Sequence, residues 1–252
     1  MSVIFITGAT AGFGKAIAQK FSEAKWDIII NGRRKERLAQ LEEELKANGS
    51  KVLSLPFDVR NEQEVNNAIQ QLPQEWKKID VLINNAGLAA GSNLIQDGNS
   101  ADWNTMIDTN VKGLLYVTQN VIPGMIAAKK GHIINMSSIA GKEAYMKGNV
   151  YCATKHAVDA LTKSMRVDLL EHGIKVSSVD PGAAETEFSL VRLKGDVEKA
   201  KAVYKGFQPL VAEDIAEIVY FVATRPAHVC INDLIVTPTA QANTSHLLRQ
   251  TE

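Results

Sequence analysis

Tyr151 and Lys155, in the stretch Tyr151-Cys152-Ala153-Thr154-Lys155, stand four residues apart, so a helix there would present both on one face. A phenol beside an ammonium is a proton donor with a tuner. A free tyrosine titrates near pH ~10, and bringing it to neutrality takes about 4 kcal/mol of differential phenolate stabilisation, which a nearby cation can supply. The chemistry this suits is hydride transfer to a carbonyl, which leaves an alkoxide in need of a proton. Such a site also needs a hydrogen-bond donor aimed at the carbonyl oxygen. Ser138, in INMSSIAG at the end of a predicted strand, can supply it, with Ser137 as the rival and a plain turn residue as the alternative. Loss of such a donor typically costs about a hundredfold or more in rate. Asn110, in DTNVKG, falls within a predicted long helix, where asparagine is a poor former and can equally be a tolerated surface residue.

A glycine-rich segment, TGATAGFG from Thr7 to Gly14, follows the first apolar run. A dinucleotide pyrophosphate needs a tight turn, backbone free of side chains and N–H groups at a helix start, which Gly8, Gly12 and Gly14 can provide. Its spacing departs from G-x-G-x-x-G, so the turn alone also fits an ordinary strand-to-helix connection. At the end of the second run, Asn31-Gly32-Arg33-Arg34 has no acid for the ribose hydroxyls of NAD. Arg33 and Arg34 suit the 2′-phosphate of NADP instead, since cations at a helix start oppose its dipole unless an anion binds there.

The elements that position these residues recur regularly. Apolar runs at 3–7, 27–31, 51–55, 80–84, 132–137, 175–180 and 233–237 read as buried strands. Amphipathic stretches between them, such as 35–48 and 62–72, read as helices. Alternating strands and helices predict an α/β fold, a doubly wound Rossmann domain with a parallel sheet of about seven strands. Residues 183–211 break the rhythm and read as a small helical excursion covering a ligand. No linker or repeat divides the chain, so residues 1–252 are expected to form one catalytic domain.

Composition excludes several classes. Of the 252 residues, 28 are lysine or arginine and 28 aspartate or glutamate, so no global field favours nucleic acid or an anionic membrane. No run is long enough to span a bilayer, and no basic leader precedes the N-terminal apolar segment. Cys152 and Cys230 have no metal-ligand spacing and are expected as free thiols, which fits a cytoplasmic location. The histidines, His132, His156, His172, His228 and His246, show no clustering that suggests a metal. Ser138 is not in a G-x-S-x-G elbow, against a serine hydrolase, and Glu42-Glu43-Glu44 reads as a solvated helix face.

With TGATAGFG, Asn84-Asn85-Ala86-Gly87, Asn110, Ser138, YCATK and PGAAET (181–186) in this order, the chain resembles the short-chain dehydrogenase/reductase family over its length. Ser138 lies 13 residues before Tyr151, the separation usual in that family, which favours it over Ser137. The resemblance implies a catalytic set of Asn110, Ser138, Tyr151 and Lys155, with Asn110 holding a water that extends a proton relay from Lys155. It implies NADP contacts from Thr7, Gly8, Thr10, Gly12, Phe13 and Gly14, from Arg33 and Arg34, and from Asp58 and Val59 beside the adenine. Asn85, Ala86 and Gly87 would line the cofactor cleft. Pro181, Gly182 and Thr186 would hold the carboxamide, and Tyr151 and Lys155 would border the nicotinamide ribose. Homotetramers through helices near 101–129 and 149–172 are also implied. More narrowly, NGRRKERL, MIDTNVKGLLYVT and TEFSLVRLKGD look like the NADP-dependent branch acting on serine, L-allo-threonine and other 3-hydroxy acids. The chain departs from that branch at Ala183, Ala184 and Met146-Lys147. A small anionic substrate needs a cation, for which Arg192 leads, followed by Lys142 and Lys147, although Arg192 can equally serve to pack the lid. Sulfoacetaldehyde reduction is the nearest alternative, and a catalytically silent NADP sensor the alternative from another class.

Overall fold

Apolar side chains alternate along the strands between the two faces of one sheet, and both faces are covered. Ile4, Ile6, Ile28, Ile30, Val81 and Ile83 pack on one side, whereas Val3, Phe5, Ile29 and Leu82 pack on the other. This two-sided burial is why the strands read as nearly continuous apolar runs. The computed structural model describes residues 2–250. It contains β1 (Val3–Ile6), β2 (Asp27–Asn31), β3 (Val52–Leu55), β4 (Val81–Asn84), β5 (Gly131–Met136), β6 (Ile174–Pro181) and β7 (Asp233–Val236). They form one seven-stranded sheet, β3-β2-β1-β4-β5-β6-β7, with parallel pairing throughout. Growth of the sheet reverses between β1 and β4, and the crevice at that switch point is where doubly wound folds bind ligands.

The helices are α1 (Gly12–Glu23), α2 (Lys35–Ala47), α3 (Glu62–Gln70), α4 (Ser100–Ile107), α5 (Gly113–Ala128), α6 (Asn149–Asp168), α7 (Glu187–Arg192), α8 (Val197–Ala202) and α9 (Ala212–Ala223). Phe21 of α1, Leu41 of α2 and Val219 of α9 fill one core; Ile69 of α3, Val121 of α5 and Val158 of α6 fill the other. The expected single helix over 101–129 is interrupted. A π-helical turn, Asp108–Lys112, lies between α4 and α5, closed by the Gly113 amide on the Asp108 carbonyl. Side-chain bonds of Asn110 to neighbouring elements compensate for the wider turn.

The excursion at 183–211 carries α7 and α8 and returns to its starting point. Leu210 N donates to the Ala183 carbonyl at 3.0 Å, and Glu185 N donates to the Leu210 carbonyl at 2.8 Å. The segment is therefore a closed flap fixed at its base. Among the described residues no helix is long and apolar enough to cross a membrane.

Candidate active site

The glycine turn is built by close backbone approaches. Gly8 has φ +65°, and a Cβ there would lie 2.9 Å from Ala86 Cα. At Gly14 a Cβ would meet the Gly8 carbonyl oxygen at 2.4 Å, so this glycine lets α1 pack onto the turn. Asn85 fastens the turn to β4, its Nδ2 donating to the carbonyls of Thr7 (2.9 Å) and Gly8 (3.1 Å). Thr7 Oγ1 accepts the amides of Asn85 and Ala86, both at 3.0 Å. Thr7 and Gly14 thus stand behind the turn and do not line the adjoining cavity, whereas Gly8, Thr10, Gly12 and Phe13 do.

That cavity, of roughly 490 Å³, runs from the glycine turn to Tyr151 and lies within the usual ligand-pocket range. Its wall includes Arg33, Arg34, Asp58, Val59, Asn85, Ala86, Gly87, Pro181, Gly182 and Thr186. No side chain caps the start of α1, leaving its N–H groups available to an anion. Neither arginine is free of acids. Arg33 lies 3.6 Å from Asp58, and Arg34 donates to Thr10 Oγ1 at 2.9 Å and pairs with Glu187 at 3.1 Å. Arg37 joins the same carboxylate at 2.7 Å. The uncapped helix start, the side-chain-free turn and these guanidinium groups fit a phosphorylated dinucleotide.

At the other end, β5, α6 and the flap converge. Tyr151 and Lys155 are both buried on α6, with Lys155 Nζ 5.9 Å from the Tyr151 ring centroid and donating to the Met136 carbonyl at 2.8 Å. Ser138 donates to the Pro181 carbonyl at 3.2 Å and its hydroxyl also interacts with the Tyr151 phenol. Ser137 instead donates to the Lys155 carbonyl at 3.2 Å. Asn110 is buried outside the cavity wall: it accepts from Leu88 N (2.8 Å) and donates to Leu88 O (2.8 Å) and Thr154 Oγ1 (3.0 Å). Thr154 in turn donates to the Tyr151 carbonyl at 2.8 Å, linking the π turn to the helix that carries the phenol.

The electrostatics differ from the expectation of a phenol acidified mainly by Lys155. Burial pushes the Tyr151 phenol above the ordinary tyrosine range, opposed by Ser138 and Arg192. Burial also pushes Lys155 down to about 8, with Asp180 acting against it. Loss of water around both groups disfavours their charged forms and is the largest influence on each.

Of the candidate substrate cations, Arg192 alone lines the cavity. Its Nη1 donates to Tyr145 Oη at 2.8 Å, its Nε to the Gly91 carbonyl at 3.3 Å and its Nη2 to the Lys147 carbonyl at 3.3 Å. The Lys147 side chain is exposed and contributes no charge to the cavity wall. Lys142 is likewise turned away, into an acidic cluster of Asp159, Asp180 and Asp233. Sequence reasoning missed Tyr145, Phe188 and Glu187. Phe188 packs on Tyr151 with ring centroids 5.5 Å apart. Its place in the apolar stretch after Thr186 is the only sequence signal it carries.

Residues 2–195 match the family described as short chain dehydrogenase. The chain belongs to that family. This short chain dehydrogenase is 46% identical over 241 residues to sulfoacetaldehyde reductase 2 of Chromohalobacter salexigens, covering 95% of each chain. It is 47% identical to an NADP-dependent 3-hydroxy acid dehydrogenase of Salmonella typhi, covering 95% of this chain and 96% of the relative. The closed form of a serine dehydrogenase complexed with NADP+ superposes with a TM-score of 0.92 at 43% identity, covering 99% of this chain and 100% of that one.

Proposed function

We propose that this enzyme is an NADP-dependent oxidoreductase that interconverts small 3-hydroxy acids, of the serine, L-allo-threonine and 3-hydroxypropionate type, with their 3-oxo acids or semialdehydes. The observation that carries the reading is the convergence of Tyr151, Ser138, Lys155 and Arg192 in one cavity continuous with the glycine turn and the arginines. The names of the hydroxy acid dehydrogenase and serine dehydrogenase relatives point the same way.

In this reading the turn at Gly8–Phe13 holds the pyrophosphate, Arg33 and Arg34 hold the 2′-phosphate, and Pro181–Thr186 with Lys155 border the nicotinamide end. Bound NADP supplies the hydride donor or acceptor. Tyr151 Oη gives its proton to the substrate oxygen in reduction and receives it in oxidation, while the Ser138 hydroxyl, turned from the Pro181 carbonyl, donates its one proton to that oxygen. Lys155 offsets negative charge as the phenol gives up its proton. Asn110 holds the π turn against α6 and, through it, the helix face that carries Tyr151. Arg192 has five N–H donors, of which three are used in the contacts above, leaving two for a substrate carboxylate. Tyr145 and Phe188 close the apolar side and exclude water.

The purified protein should reduce NADP in the presence of L-serine, L-allo-threonine or 3-hydroxypropionate, followed by absorbance of the reduced cofactor. Inactivity toward all three removes the substrate assignment. The name of the Chromohalobacter relative favours sulfoacetaldehyde as the competing substrate. Its sulfonate would engage Arg192 as a carboxylate does, so comparative kcat/KM values across the panel decide between them. NADP binding without turnover of any carbonyl would favour the sensor reading. We also assign the protein to the cytoplasm as a homotetramer, a state that light scattering tests directly.

A further inference from the structure

Asp180, the penultimate residue of β6, is a fully buried carboxylate to which the reaction as described gives no task. A buried carboxylate is disfavoured unless its charge is compensated or used. One oxygen, Oδ1, accepts from Ser178 Oγ at 2.7 Å, whereas Oδ2 accepts no hydrogen bond and faces Lys142 Nζ at 3.5 Å. The strand places it directly behind the site. The next residue, Pro181, offers its carbonyl to Ser138, and the preceding one, Val179, accepts the Ser137 amide at 2.9 Å and pairs with Met136, whose carbonyl receives Lys155 Nζ.

Lys142 reaches the same place from the other side. It follows Gly141, where a Cβ would lie 2.7 Å from the Lys155 carbonyl oxygen and 2.8 Å from Ser137 Oγ, so the Ser138 segment passes tightly over α6. Lys142 Nζ bonds Asp159, one helical turn beyond Lys155 on α6, and Asp233 of β7 at 2.6 Å. The charged groups around Asp180 are therefore Lys142 after the Ser138 segment, Lys155 and Asp159 on α6, and Asp233 on β7, with Lys163 pairing Asp159 from outside.

We propose that Asp180 is a positioning residue for the reaction: its buried carboxylate keeps the Lys155 ammonium charged behind Tyr151, and Lys142 keeps Asp180 ionised. The inference rests on the assignment of Tyr151 and Lys155 above. Burial and the adjoining Asp233 carboxylate push Asp180 up to about 7, with the Ser178 hydroxyl and then Lys142 opposing them. The Asp180 carboxylate raises Lys155 against its own burial.

The test is the pH profile of carbonyl reduction at saturating NADPH. In the unmodified enzyme the rate should fall as pH rises through the Lys155 titration, near 8. In Asp180→Asn the same limb should lie about one unit lower, so the rate drops roughly fivefold at pH ~8 and little at pH ~6. Lys142→Met should move the limb in the same direction, and Lys142→Arg should leave it in place. NADPH binding, read by nucleotide fluorescence, reports whether each variant is folded; if Asp180→Asn is not, the Lys142 pair decides. A limb that coincides with that of the unmodified enzyme in the folded variants overturns the proposal, as does a uniform loss at every pH, which marks a structural role. Tyr151→Phe separates the two levels: normal turnover defeats the underlying assignment, whereas an inactive Tyr151→Phe with an unmoved limb defeats only the role of Asp180.

Discussion

Replacing Arg192 with leucine provides a direct test of how the substrate is recognised. The side chain is half-buried and already bonds Tyr145 Oη, the Gly91 carbonyl and the Lys147 carbonyl, so two of its five donors remain for an anionic substrate. A charge-assisted hydrogen bond is worth about 1.5–3 kcal/mol, and loss of one such bond corresponds to roughly 10- to 150-fold in kcat/KM. Partial solvent access places the expected loss nearer the lower end, at about 10- to 50-fold. Because the three protein contacts vanish too, the flap over the site also loosens. The control is a neutral analogue: kcat/KM should be measured for 3-hydroxypropionate and for 3-hydroxypropionamide in both proteins. The carboxylate should lose about tenfold or more, with the amide changing by less than about threefold. Equal losses on both substrates would refute the reasoning and leave Arg192 as a brace between the flap and the Gly91 and Tyr145 segments.

Glu187→Gln removes the carboxylate that shares Arg34 and Arg37, so NADP should bind about two- to fivefold tighter with NAD unchanged, a small effect because these pairs are exposed. An equal change for both nucleotides in titration calorimetry would count against competition with the phosphate. Conversely, alanine at Arg33 and Arg34 should weaken NADP far more than NAD. Burial pushes His132 down to about 3, so the unfolded chain takes up a proton below pH ~6.5 that the folded chain refuses until about 3. The stability present above pH ~6.5 is then lost on acidification, by about 2 kcal/mol at pH ~5, and urea midpoints should show this loss much reduced in His132→Gln. Gly14→Ala places a Cβ 2.4 Å from the Gly8 carbonyl oxygen and should lower stability by about 1–3 kcal/mol or more in the same assay.

The sheet was legible in the sequence because helices cover both of its faces. β2, flanked by β1 and β3, shows three consecutive isoleucines, Ile28 to Ile30, and its bounds match the apolar run at 27–31. The glycine turn was legible too, since its backbone approaches leave no room for side chains. Other features depended on contacts between residues distant in the chain. Lys142 looked available for a substrate, but Asp159, Asp180 and Asp233 meet around it only after β6, β7 and α6 assemble. The π turn at Asn110 follows from partners at Leu88 and Thr154, which no local propensity records. The opposition between Arg34 and Glu187 crosses 153 residues of sequence.

The titration behaviour of Tyr151 and Lys155 was the least legible property, and it bears most on the chemistry. Spacing along a helix indicates that the two groups share a face, and Coulomb attraction then suggests an acidic phenol. Enclosure reverses the balance: removing water disfavours phenolate and ammonium alike, so the phenol keeps its proton while the lysine approaches neutrality. For the proposed reduction this suits Tyr151, which would hold its proton until the substrate oxygen needs it. It does not suit Lys155, whose value lies in its charge at the moment the proton leaves. The conflict cannot be relieved by opening the site, because exclusion of water also strengthens the hydrogen bond from Ser138. It can be relieved by a fixed negative charge behind the lysine, kept out of the path of the substrate. Asp180 occupies such a position, and its own burial in turn requires the Ser178 hydroxyl and Lys142. The charged cluster is thereby tied to the proposed proton-transfer step by the energetic demands of burial.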